Sequence, residues 1–263
     1  MRPLNKLPVV RRVRDKFIYE SNKLAGRAGF ELKPTAETHW NLWQERISNA
    51  SRARLFSTVP VDLVIDVGAN NGQYGHSLRE SGYTGDILSF EPQSQCVEHL
   101  ATMTNADTKW TVVRAAVGAE PGSLALNVSG NSLSSSLLPM THRHLNAAPE
   151  SEYVRQESVE VLTLDGHLAN SPYAKTNNIW LKIDTQGYEW PVILGATTTL
   201  EKVVAIEMEL SFEPMYEGQK LFDEILPLLR QRGFAPHAFH EVLTDPKSKA
   251  LYQVDGLFVR NSS

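Results

Sequence analysis

From residue 61 onward, short apolar runs alternate with amphipathic stretches, and this alternation predicts most of the architecture. The runs at residues 61–67, 86–90, 110–117 and 178–184 are bounded by glycine or polar turns and read as buried strands. Residues 202–210, 234–242 and 253–260 continue the series, which gives seven core strands. Between them, 72–81, 94–103, a stretch from Tyr188 and 221–232 carry helical periodicity; Ser94 is expected as an N-cap, and Gly82 and Gly233 as helix stops. Strands that alternate with helices imply parallel pairing through crossover helices. The expected class is therefore α/β and Rossmann-like, a mostly parallel seven-stranded sheet with helices on both faces.

Two stretches break the alternation. Residues 123–128 and 157–164 show period-2 patterning, and the serine-rich segment 130–140 lies between them, followed by His142, Arg143 and His144. So long a polar segment inside a compact domain predicts a mobile lid or binding loop. The first sixty residues predict a separate N-terminal helical extension, with Trp40 and Trp43 on one face of a helix; it caps the main domain (61–263) or offers a lid or homodimer surface.

Composition narrows the choice of partner. The 263 residues carry a net charge of −4, so no global basic field favours nucleic acid. No run reaches the ~18 apolar residues of a spanning helix, so stable membrane insertion is not expected. The single cysteine, Cys96, forms no internal disulfide, and the chain reads as cytoplasmic.

The first strand ends in Asp66-Val67-Gly68-Ala69-Asn70-Asn71-Gly72 and opens a helix. Gly68 and Gly72 allow backbone to approach a ligand closely. The glycine spacing departs from the dinucleotide fingerprint, and a carboxylate at Asp66 would repel pyrophosphate while attracting an ammonium group. S-adenosylmethionine, a nucleoside with an amino-acid tail and no phosphate, fits this turn, and a nicotinamide cofactor does not. Glu91 closes the second strand 25 positions after Asp66, near the separation at which an acid reaches a ribose diol.

Asp-Val-Gly-Ala-Asn-Asn-Gly at 66–72, Ser-Phe-Glu-Pro at 89–92 and Leu-Lys-Ile-Asp-Thr-Gln-Gly-Tyr-Glu at 181–189 resemble the FkbM-type methyltransferases. The resemblance runs from about residue 60 to the C-terminus. It implies a class I methyltransferase fold whose last strand inserts antiparallel, with Asp66, Gly68, Asn70, Gly72 and Glu91 toward the cofactor and Ala116 beside the adenine. It also implies that a serine pair, Ser134 and Ser135, recognises the acceptor together with Gln186. Many family members carry Glu at the position of Gln186.

An alcohol acceptor needs a general base or a metal to expose its oxygen. Asp184 ends the fourth strand of the series, on the edge where α/β sheets bind ligands. Asp184 with Glu207 and Glu209, two apart on one strand face, is a candidate Mg²⁺ site. His142 and His144, with His167 and His240 behind them, are the competing bases. The expected activity is O-methyl transfer to a hydroxyl of a sugar, glycolipid or polyketide-like metabolite. The alternative is a non-catalytic protein that binds the cofactor or recruits a partner.

Overall fold

A computed structural model describes residues 52–261; the extension expected over residues 1–60 lies outside them apart from its last nine residues. From Ala53 onward the chain forms one compact unit. Its elements in order are β1 (Leu63–Val67), α1 (Gln73–Glu80), β2 (Asp86–Phe90), α2 (Ser94–Thr104), β3 (Trp110–Val113), β4 (Ala116–Val117), β5 (Gly122–Ser129), α3 (His142–Ala147) and β6 (Tyr153–Leu162). There follow α4 (Leu164–Ala169), β7 (Ile179–Ile183), α5 (Glu189–Leu194), α6 (Thr199–Lys202), β8 (Val203–Ser211), α7 (Phe222–Gln231), β9 (Phe234–Thr244) and β10 (Leu251–Arg260).

Seven strands form the main sheet in the order β3-β2-β1-β7-β8-β10-β9. The first five run parallel, and β10 lies antiparallel between β8 and β9. The antiparallel insertion of the last strand is the one that the resemblance implies. Every residue of β1 and β7 is buried, as expected for central parallel strands covered on both faces.

Period-2 geometry divides the core between the faces. Leu63, Ile65 and Val67 of β1 join Leu181, Ile183 and Met208 in one apolar cluster, whereas Val64 joins Trp180, Ala205 and Trp110 in another. Each large aliphatic side chain buried there contributes about 1.5–3 kcal/mol. On the second face Gly75 gives α1 its close approach, because a Cβ there would lie 2.1 Å from the Trp110 ring. Phe56, from the helical residues 52–56, stacks on Trp180 at 4.7 Å between ring centroids.

Three local expectations change. The run at 110–117 is two strands: Ala115 N donates to Val113 O, a tight turn that takes the chain out of the main sheet. Ala116 and Val117 then pair with Val161 and Leu162 in a separate three-stranded sheet, β4-β6-β5. The helix expected to be capped by Ser94 has Gln93 at the cap position, and the Glu157 carboxylate accepts from Ser94 N at 3.1 Å in place of a local side chain. The serine-rich segment is no loose loop. Ser134 and Ser136 are buried, and the segment is tied down along its length. Among the described residues, no helix is long and apolar enough to cross a membrane.

Candidate active site

A cleft of about 640 Å³ opens at the carboxyl ends of β1, β2 and β7. Its first wall is the turn after β1, represented by Gly68 and Asn70. Gly68 sits at φ +81°, and a Cβ built on it would lie 1.8 Å from the carbonyl oxygen of Asp184, so only glycine lets β1 and β7 end this close together. Asn70, at φ 47°, donates its backbone N–H to Glu91 Oε2 at 2.7 Å.

Glu91 is 6% exposed and lines the cleft. Its other oxygen accepts from Gln93 N at 2.8 Å. Burial pushes its carboxyl up to about 7, against the pull of these two backbone donors. Next to it, Ala115, Ala116 and Val117 form a small apolar shelf opposite Leu126 and Leu137. The shelf exists because the chain leaves the main sheet after Val113.

The serine-rich strap forms the far wall. Asn70 Nδ2 donates to Ser132 O at 2.9 Å, Ser135 Oγ to Gln93 Oε1 at 3.0 Å, and Ser136 Oγ to the Gln186 carbonyl at 2.6 Å. Ser135 and Ser136 line the cleft, and Ser134 does not. The Ser134 hydroxyl is turned inward onto Ser151 at 2.9 Å. Of the expected serine pair, therefore, one member is structural, and Ser136 stands at the cleft instead.

The turn after β7 closes the site with Asp184, Thr185 and Gln186. Glu189, at the start of α5, shapes it: one carboxylate oxygen accepts from Thr185 N, Thr185 Oγ1 and Gly187 N at 3.0–3.1 Å. Burial raises the Glu189 carboxyl to about 7. Gln186 uses both ends of its amide, donating to Asp184 Oδ1 at 2.8 Å and accepting from Tyr216 Oη at 2.7 Å. Of the two carboxylates that line the cleft, Asp184 is the open one, with 37% of its side chain exposed.

Several expected site residues stand elsewhere. Asp66 is fully buried and does not line the cleft. The ammonium it holds is that of Lys182, 3.2 Å away. The alternation that sends Val67 to one face sends Asp66 to the other, beneath the turn. Gly72 also lies off the cleft: its φ of +81° starts α1, and it packs on Leu100.

The metal triad is not assembled. Among the described residues no three His, Cys, Asp or Glu side chains are grouped to hold a metal ion. Glu207 accepts from Tyr74 Oη at 2.8 Å, while Glu209 accepts from Gln253 Nε2 at 2.7 Å and burial raises its carboxyl well above the usual range. The positive charge among these acids is supplied by Lys182.

Neither histidine that follows the serine-rich segment lines the cleft. His142 is exposed at the start of α3. His144 is buried edge-on against Tyr216, and burial lowers its imidazole to about 4, so it stays neutral. His167 packs edge-on against Phe90, and His240 is buried on β9 opposite Asp255. Sequence reasoning missed Lys182 and Glu189, although both stand in the 181–189 motif; the one charge in an otherwise apolar strand was the available signal for Lys182.

The same cleft can be set against known proteins. The methyltransferase FkbM domain model matches residues 66–236, which include the turn after β1, Glu91, the strap and the turn after β7. The chain belongs to the FkbM methyltransferase family. A curated relative, 2-O-methyltransferase NoeI of Sinorhizobium fredii, is 26% identical over 176 residues, covering 65% of this chain and 72% of the relative. Among solved structures, the methyltransferase FkbM of Methylobacillus flagellatus is 12% identical with a TM-score of 0.44, over 74% of this chain and 43% of that one. Magnesium protoporphyrin IX methyltransferase of Synechocystis, solved with bound S-adenosylmethionine, is 11% identical with a TM-score of 0.44, over 98% of this chain and 100% of the other. Membership of this family makes the chain an S-adenosylmethionine-dependent methyltransferase.

The residues present fit that cofactor. Glu91 offers a buried carboxylate for a diol beside the apolar Ala115–Val117 shelf, and Gly68 lines the same cleft. Around Asp184 the lining is polar, with Thr185 and Gln186 beside it.

Proposed function

We propose that the chain methylates a hydroxyl of a sugar, glycolipid or polyketide-like acceptor, and that Asp184 receives the hydroxyl proton. The observation that carries this reading is the open Asp184 carboxylate at the polar end of the cleft, fixed by Gln186 and backed by Lys182 at 3.5 Å. The polar wall of Ser132, Ser135, Ser136 and Thr185 suits an acceptor rich in hydroxyls, and the relative named as a 2-O-methyltransferase supports transfer to oxygen.

Bound S-adenosylmethionine supplies an already activated methyl group, which leaves orientation and proton removal to the protein. The acceptor oxygen forms the new C–O bond as the S–C bond breaks, and that electron pair stays on the sulfur of the thioether product. The hydroxyl proton passes to Asp184. Gln186 holds the carboxylate toward the cleft, and the strap excludes water that would compete with the acceptor. The test is methyl transfer to a panel of saccharides and macrolide alcohols, each paired with its deoxy analogue. Transfer is expected only where the hydroxyl is present. Methylation of nitrogen or carbon would overturn the assignment, and intact S-adenosylhomocysteine binding with no acceptor methylated would favour a purely binding role.

We assign the ribose hydroxyls to Glu91, which implies a pH dependence with a definite sign. Two donors want an ionised acceptor, and burial holds the free carboxyl up to about 7. Affinity for S-adenosylhomocysteine should therefore be level above about pH 7 and weaken on acidification, by at most about tenfold per pH unit. The linked effect on the apo fold runs the other way: the stability contributed by the protonated group is complete below its ordinary value of 4.5 and is lost as pH rises through about 7. Calorimetry between pH 5.5 and 8.5 checks the first, and Glu91→Gln should flatten the profile. A flat profile in the wild-type protein would remove Glu91 from the ribose.

A further inference from the structure

Four polar side chains form a row across one face of the main sheet. Ser89, Asp66, Lys182 and Glu207 stand on adjacent strands β2, β1, β7 and β8 in direct register, and all four are buried. Tyr74 of α1 packs against Lys182 and Glu207. Its hydroxyl donates to Glu207 and accepts from Trp180 Nε1 at 2.9 Å, and its ring lies 5.5 Å from the Lys182 ammonium. Buried ion pairs of this kind are poor devices for stability, since well-packed apolar side chains of similar volume serve as well or better. Another effect must be sought for the row, and it lies with the third group that Lys182 touches.

Lys182 Nζ donates to the carbonyl oxygen of Gly68 at 3.0 Å, besides its ion contacts with Asp66 at 3.2 Å and Asp184 at 3.5 Å. That carbonyl belongs to the turn whose next residues wall the cleft. We propose that Lys182 is a positioning residue for the reaction: its ammonium, held in place by Asp66, pins the Gly68 carbonyl to the end of β7 and keeps the cofactor turn in its binding shape. Burial acts to lower the lysine's pKa, but the Asp66 and Asp184 carboxylates outweigh it and raise the value, so the donor stays charged. Asp66 thereby serves the cofactor through Lys182, without touching it. The inference rests on the reading that this cleft takes S-adenosylmethionine.

The decisive protein is the double variant Asp66→Asn/Lys182→Met in the full chain, which removes one charge of each sign and keeps both volumes. Its thermal midpoint is expected to lie well above that of Lys182→Met alone, because Asp66 is no longer a buried charge without a partner. Its affinity for S-adenosylhomocysteine, measured by calorimetry, is expected to fall by about tenfold or more, as for loss of one charge-assisted hydrogen bond. A merely structural role would move the two readouts together. The single variant Lys182→Met, which leaves Asp66 buried without its counter-charge, should lower both. Wild-type affinity in the double variant would overturn the positioning role. Failure of the wild-type protein to bind S-adenosylhomocysteine would overturn the cofactor reading itself, so the two failures are distinguishable.

Discussion

Gly68→Ala is expected to abolish measurable S-adenosylhomocysteine binding and to lower the thermal midpoint clearly. Two effects combine at this position. The residue sits at φ +81°, where an L side chain costs about 1–2 kcal/mol. The new Cβ would also lie 1.8 Å from the Asp184 carbonyl oxygen and 2.9 Å from its carbon, both backbone atoms that cannot swing aside. Overpacking of this kind costs about 1–3 kcal/mol, so the sum is about 2–5 kcal/mol, a large part of a domain's total stability. Relief requires the ends of β1 and β7 to part, and those ends are joined by Asp184 N donating to Val67 O at 3.0 Å and by Lys182 on the Gly68 carbonyl. Parting them opens the floor of the cleft. Gly82→Ala provides the comparison, because Gly82 has φ +90° but no atom within 4 Å of a built Cβ. It should show a modest stability loss and ordinary binding. Equal binding by both variants would remove the Gly68 turn from the cofactor site.

Asp184→Asn is expected to reduce the methyl-transfer rate at saturating acceptor by about 10²–10⁴-fold, the usual range for loss of a general base. The change keeps the side-chain volume and the oxygen that accepts from Gln186 Nε2, so the turn after β7 should stay intact under Glu189. Affinity for S-adenosylhomocysteine should therefore change little, and the loss should fall on kcat. The measurement is transfer of labelled methyl to the acceptor identified in the panel, with calorimetry alongside. A rate within about tenfold of wild type would take the base role away from Asp184. A large loss of cofactor affinity with kcat preserved would assign the carboxylate to the amino-acid tail.

The strap over the cleft shows why some features were misjudged from sequence. Four serines within residues 131–140 look like solvated loop composition. In the structure Ser134, Ser135 and Ser136 spend their hydroxyls on Ser151, Gln93 and Gln186, residues distant from them in the chain. Polar side chains predict partners, and the chain order alone does not say whether the partner is water, ligand or protein. The same ambiguity governs His144, whose burial against Tyr216 removes it from proton transfer.

What the sequence determined by itself was everything that depends on local period and chain direction. It set the seven core strands, the strand ends at which Gly68, Glu91 and Asp184 emerge, and the helix stops at Gly82 and Gly233, because alternation and glycine conformation act over a few residues. Only the tertiary structure decided which strands lie side by side and in what register. Asp66 and Lys182 are 116 positions apart, yet they are direct neighbours across β1 and β7. That adjacency turned a supposed ligand contact into a buried ion pair, and Glu207 and Glu209 of the supposed metal site are likewise held by protein groups. The physical reason is that a charge must be compensated wherever it is buried, and the compensating group is chosen by proximity in the folded sheet, which no spacing along the chain encodes.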